Sequence, residues 1–223
     1  GFAAFTTAQF FGIEYPYYDI TFYRSFNLDI KLISQVVMAG VFFGIVALFF
    51  TIMVNQIEKS LKKLPYNKYQ IAFASGTLMV LISFFVSTKY LGLGLDTINN
   101  ILDPTSDAIM DVNWWDFMMK TLFTSLSLGS GGSGGIITPI FYVGATSGAT
   151  FGHFVGNHIP LFAALGFVSV LAGTTNTPIA SIIMAVDLFG TNMANYAALS
   201  VVIAFLITGH RSVFNSQKLS LRK

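Results

Sequence analysis

The chain has 223 residues, is 54% hydrophobic and 10% charged, and has a mean hydropathy of +0.68 and a formal net charge of +2. Soluble domains run at roughly 45–50% apolar and about 25% charged, so this chain lacks the polar groups to cover a water-facing surface. Its 23 phenylalanines exceed a soluble core of this size, its bases are not clustered for nucleic acid, and the absence of cysteine excludes disulfides and thiolate metal sites.

Gly1–Asn27 is aromatic and mixed, and its run Tyr15-Pro16-Tyr17-Tyr18 suits a membrane–water interface. Phe2–Phe11 lacks the basic flank of a signal peptide and reads as the end of a segment that starts upstream. Leu32–Val54 is charge-free for 23 residues, enough for a tilted transmembrane helix. Glu58, Lys59, Lys62, Lys63 and Lys68 follow around Pro65, and this lysine-rich loop is expected in the cytoplasm. Ile71–Thr88 returns as a second span. Tyr90–Asp116 holds Gly92, Gly94, Pro104 and the acids Asp96, Asp103, Asp107, Asp111 and Asp116, and reads as an outer loop with a short helix at Asp96–Leu102. Trp114-Trp115 would sit at the interface and open a helix at Asp116–Leu128.

Between Thr121 and His210 the chain carries one acid, Asp187, and no Lys or Arg. This stretch breaks at glycine or proline into Ile136–Val155, Pro160–Leu171, Pro178–Phe189 and Asn195–Thr208. At about 1.5 Å per residue, several of these pieces cannot cross roughly 30 Å of hydrocarbon. Helices that end at membrane depth leave free backbone groups, which must face protein, water or a ligand. Broken helices of this kind are a transporter feature, and their amino ends suit anions. The Gly144/Gly148/Gly152 row on Ile136–Val155 allows another backbone to come close. Thr174-Thr175-Asn176-Thr177 is expected as a turn or cap, with Pro178 opening the next helix. His210–Lys223 is basic and is expected in the cytoplasm.

The break before Ile136–Val155 reads Gly131-Gly132-Ser133-Gly134-Gly135-Ile136-Ile137-Thr138-Pro139. A helix start offers up to four unpaired N–H donors and about half a positive charge. Glycines before it let an ion approach the backbone, and Pro139 costs nothing where its N–H would be unused. Gly134–Ile137 is therefore a candidate anion cradle made of amides alone. No Lys or Arg is needed, and that absence is informative, because a full positive charge would hold the ion too tightly for turnover. Two plainer readings compete: a flexible Gly/Ser linker, and glycines that serve only tight helix packing.

The other candidates have plain alternatives too. His153 and His158 could relay protons or cap and pack near Asn157 and Pro160. Asp187 is an acid within an apolar helix, which flags function, yet near the helix end it can reach water or a partner. No nucleophile–base set, metal spacing or nucleotide loop is present to support an enzyme, and no cofactor is implied.

Gly134-Gly135-Ile136-Ile137-Thr138-Pro139 resembles the Gly-Gly-x-Phe-x-Pro signature of CLC chloride channels and proton-coupled anion antiporters. The order downstream is also similar: the small-residue helix Phe141–Gly152, then Leu171–Ala180, then Ile183–Leu188, then Ser212–Gln217. The resemblance runs from Leu32 to Gln217 and implies the second of two inverted halves, all-helical, with about seven or eight helices, several of them partial. It implies an interfacial segment at 1–28, a membrane domain at 29–217 and a cytoplasmic tail at 218–223. It also implies transport of chloride or another small anion, as a voltage-gated-type channel or chloride/proton antiporter, in a homodimer in the bilayer. The anion would touch Gly134, Gly135, Ile136, Ile137 and Thr138, and an aromatic at Phe214, where the family usually has tyrosine. A first half would bring a gating glutamate, a serine and an inner proton-accepting glutamate, none of which has a counterpart here. Ile137 replaces the signature phenylalanine. Thr138 before Pro139 resembles the fluoride-transporting branch, as does Ala172–Asp187, but Ile136 stands where that branch has a glutamate. A fluoride-handling relative and a non-transporting membrane scaffold are the alternatives.

Overall fold

The structure is a computed structural model that describes residues 6–7, 10–12, 30–103, 112–156 and 158–214. Most of the 1–28 segment, the 218–223 tail, Pro104, Asp107, Asp111, Asn157 and Asn215–Gln217 lie outside the described residues. From Ile30 onward the elements are α1 (Ile30–Lys62), α2 (Lys68–Phe85), a 3-10 turn (Thr88–Tyr90), α3 (Leu95–Leu102), α4 (Asp116–Gly129), α5 (Ile137–Val155), α6 (Ile159–Thr175), α7 (Pro178–Phe189), a second 3-10 turn (Thr191–Met193) and α8 (Ala194–Thr208). No strand occurs among the described residues, so the fold is all-α as expected.

Helix α6 is the centre. Every residue from Pro160 to Thr175 is buried, which is why this sequence has no polar face. Around it stand α1, α5, α7 and α8. Helix α5 comes closest, along the glycine row. A Cβ on Gly148 would lie 2.1 Å from the Phe162 carbonyl oxygen, and one on Gly144 would lie 2.5 Å from that of Gly166. The approach is reciprocal, since a Cβ on Gly166 would lie 2.3 Å from the Gly144 carbonyl oxygen. The small-residue stripe thus does what its spacing suggests. Without a strong hydrophobic drive between helices in lipid, such backbone-to-backbone contact supplies the dispersion energy of association.

Helix α1 uses the same device against α8. A Cβ on Gly44 would lie 2.8 Å from Ile207 Cβ. Its apolar row Val36, Phe43, Ala47, Phe50 and Val54 is buried. Hydroxyls buried among the helices bond back to their own backbone: Thr146 to Tyr142 O at 2.7 Å, Thr174 to Val170 O at 2.8 Å and Thr208 to Ala204 O at 2.8 Å. One such pair crosses helices, with Ser169 Oγ donating to Ser200 Oγ at 2.9 Å.

Helix α2 is peripheral. It buries only Ser75 and Ser83 and exposes Phe73, Phe84 and Phe85. Ile30–Lys62, Lys68–Phe85 and Thr191–Thr208 are each long and apolar enough to cross a membrane.

Two boundaries differ from the sequence-based expectation. Helix α1 continues well past Val54 to Lys62, ending with Lys59 and Lys62 in its last turn, where cations favour the helix carbonyls. Helix α6 is longer than Pro160–Leu171, reaching Thr175 through the expected turn. Gly173 does not break it, because it is a packing position: a Cβ there would lie 2.6 Å from Thr208 Oγ1 and 2.8 Å from Ala47 Cβ. The helix stops one residue later at Asn176, whose φ of +61° is left-handed and whose N–H bonds Ala172 O. Pro178 opens α7 as expected.

The α5–α6 seam gives a stability prediction. Gly148→Ala should lower the melting temperature of the detergent-solubilised protein, since the added methyl must push α6 away at a cost of about 1–3 kcal/mol. Gly76→Ala on α2, where a Cβ would meet nothing within 4 Å, should not lower it.

Candidate functional site

Helix α4 begins on a buried carboxylate. Asp116 is fully buried, accepting from Lys89 Nζ at 2.7 Å, from the Tyr90 hydroxyl at 2.6 Å and from the Asn113 backbone N–H at 3.1 Å. Burial, and then the bond to Asp116, push the Tyr90 phenol well above its usual range, so it stays a neutral donor. In the sequence Asp116 looked like one more acid of an outer loop. The structure makes it a clasp that ties the 3-10 turn Thr88–Tyr90 to the start of α4.

One turn further along α4, Lys120 is 2% exposed. Its ammonium donates to the carbonyl oxygens of Tyr90, at 3.2 Å, and Gly92, and it sits 4.9 Å from the centre of the Tyr142 ring. No carboxylate lies within ion-pair distance of it among the described residues, where the ion pairs are Lys62–Glu58 and Lys89–Asp116. Gly94, at φ +77°, opens α3 directly over Tyr142; a Cβ there would lie 2.4 Å from the ring.

Helix α4 ends at Gly129, whose Cβ position faces Leu61 and Glu58 of α1. The chain then turns sharply. Ser130 N–H bonds Leu126 O at 3.0 Å, Gly131 N–H bonds Leu128 O at 3.1 Å and Gly132 N–H bonds Ser127 O at 2.9 Å. Gly131 takes φ +94°, open to glycine at little cost. The packing reading of the glycines therefore suits Gly129 and Gly132, where a Cβ would lie 2.6 Å from Ser127 O in the latter case. It does not suit Gly134 and Gly135, in front of which there is open space out to 4 Å.

From there the chain enters α5. The first helical bond runs from Ile140 N–H to Ile136 O at 3.2 Å. The amides of Gly134, Gly135, Ile136, Ile137 and Thr138 make no backbone bond among the described residues. Gly134, Gly135, Pro139 and Lys120 line one cavity of about 360 Å³, together with Tyr90 and Gly92. The sequence reading needed no Lys or Arg at the cradle. Lys120 lies immediately before the stretch free of Lys and Arg that starts at Thr121, and the fold places it on the lining of the same cavity as Gly134 and Gly135. The available signal was a single basic residue within the apolar helix that follows Trp114-Trp115.

The remaining candidates are placed elsewhere. Phe214 is 37% exposed and does not line this cavity; Val213 N–H anchors its segment to Thr174 O at 2.9 Å, at the end of α6. His153 and His158 are exposed at the α5–α6 connection. Asp187 is exposed on α7.

Several helices are too short to span a bilayer alone, the helices pack along glycine seams, and α5 begins with amides that lack backbone partners among the described residues. A family profile described as "Voltage gated chloride channel" matches residues 1–209. The chain is 34% identical over 200 residues to a "Chloride/fluoride channel protein" of Pseudomonas syringae pv. tomato, covering 86% of this chain and 42% of that one. It is 27% identical over 167 residues to "Voltage-gated ClC-type chloride channel ClcB" of Escherichia coli, covering 70% and 38%. A solved structure, "Crystal structure of a CLC-type fluoride/proton antiporter", superposes with a TM-score of 0.84 at 25% identity, over 94% of this chain and 52% of that one. The chain belongs to the voltage gated chloride channel (CLC) family and is an integral membrane protein. It spans about half or less of the length of these relatives.

Removing the clasp should be costly. Asp116→Ala leaves Lys89 and Tyr90 without their acceptor and should destabilise the protein by about 3 kcal/mol, as when one partner of a buried pair is deleted. Thermal unfolding in detergent measures this; an unchanged melting temperature would show that the clasp contributes nothing.

Proposed function

We propose that this chain forms half of a transmembrane anion pathway, most naturally for chloride, in a channel or a proton-coupled antiporter. The observation that carries this is the start of α5. Amides without backbone partners lie behind glycines with open space before them, in a family whose relatives are named for chloride and fluoride. A halide there would accept from the amides of Gly134, Gly135, Ile136, Ile137 and Thr138. These are fixed dipoles that need no reorganisation and hold the ion without a formal bond. Phe214 would offer a ring edge to the ion once the first half of the pathway is in place. In this reading the Lys59–Lys68 loop and the C-terminus face the cytoplasm, because short basic loops stay on that side. The protein works as a homodimer, and the exposed apolar residues Ile179, Ile183, Val202 and Leu206 on α7 and α8 suit burial against lipid or a second copy.

The test is ion flux from liposomes containing the full-length protein, with a chloride electrode and a pH electrode read together. Chloride efflux is expected. Proton movement in a fixed ratio to it identifies an antiporter, and its absence a channel. Fluoride efflux that chloride cannot replace would put the fluoride-handling reading first, and no anion flux at all would favour a scaffold. Gly135→Val, which fills the space in front of the amides, should reduce chloride efflux by about tenfold or more, as expected for losing one hydrogen bond to a charged acceptor.

A further inference from the structure

Among the described residues, Lys120 is the one strongly buried cation, and the proposed pathway has not used it. We propose that Lys120 is the fixed positive charge of that pathway: it concentrates small anions in the cavity it shares with Gly134 and Gly135, and so sets their apparent affinity. This rests on the anion-pathway reading above.

Three features carry it. First, the ammonium is buried with no carboxylate in reach among the described residues, so its hydrogen bonds are satisfied but its charge is not cancelled. A buried charge without a counter-charge is costly, and a mobile anion in the adjoining cavity relieves that cost. Second, the cavity is shared. Lys120 lines the same cavity as Gly134 and Gly135, two of the residues whose amides lack backbone partners. In a cleft with low-dielectric walls a single charge is focused, raising the local concentration of counter-ions by about 10- to 1000-fold. Third, the ammonium is tethered. Donating to Tyr90 O and Gly92 O, and facing the Tyr142 ring, it has two of its three protons committed. The carbonyl dipoles and the ring also offset part of its field. It can attract an anion from the cavity without closing on it as a full ion pair. That answers the objection that a positive charge would trap the ion. The tether is itself held in place, since Tyr90 is locked by Asp116.

A purely structural lysine would need only its donors; a pathway lysine needs its charge. The experiment therefore compares Lys120→Arg, which keeps the charge, with Lys120→Gln, which keeps a donor for the Gly92 carbonyl, and with Lys120→Met, which keeps neither. Chloride flux of the full-length protein in liposomes is measured against chloride concentration, with melting temperatures read alongside. Lys120→Arg is expected to stay within about twofold of wild type in half-saturating chloride. Lys120→Gln and Lys120→Met are expected to raise it by about tenfold, the lower end of charge focusing, with a smaller effect on the maximal rate. If folded Lys120→Gln matches wild type, or folded Lys120→Arg is as impaired as Lys120→Met, the inference is overturned and Lys120 is a brace for the Tyr90–Gly92 loop. Independently of any variant, bromide soaked into crystals of the wild-type protein is expected to give anomalous density in this cavity, and an ordered but empty cavity also overturns it. Absence of flux in the wild type is a different result, because it removes the transport reading on which this one stands.

Discussion

Lipid offers no hydrogen bonds, and the architecture follows from that constraint. A helix that stops inside the bilayer must place its free amides against protein, water or a ligand. Helix α5 is held against α6 along its middle. The fixing is a seam of bare backbone, in which Gly144 and Gly148 face the main chain at Gly166 and Phe162 with no room for a methyl group. Since α6 is buried along nearly its whole length, α5 is anchored to the most enclosed element of the fold.

The part of the cavity lined by Lys120 depends on a second, polar device. Asp116 gathers Lys89, Tyr90 and the Asn113 amide at the head of α4, and this holds the Tyr90–Gly92 strand of chain over Lys120. In water such an arrangement would contribute little. Out of water, each member depends on the others, because any one left alone would be an unsatisfied polar group or a bare charge. The result is a cation and a set of amides presented to one space from two different helices.

Much of this was legible in the residues themselves. The apolar blocks, the short helix after Gly94, the opening of α4 at Asp116 and of α7 at Pro178 all follow from local chemistry. Each depends on charge, capping or proline within a few positions. The Gly144/Gly148/Gly152 row announced a close backbone neighbour, although it could not name α6. Reading the end of α6 failed for a physical reason. Gly173 and the threonines after it favour a turn when taken alone, but here Gly173 is small because Ala47 and Thr208 lie against it, and the helix runs on to Asn176. Asp116 reads locally as one more acid of a loop, and Lys120 carries no local signal of its role; only long-range partners show what each one does.

The sequence by itself determined that this chain lives in a membrane and that its helices break at glycine and proline, one of the breaks being glycine-rich. Those properties are set by composition and by neighbours along the chain. Tertiary structure alone decided that the break shares a cavity with Lys120, that Asp116 is buried rather than solvated, and that Phe214 lies apart from both, at the end of α6. Burial and the field around a charge depend on atoms distant in sequence, and no local pattern encodes their distance.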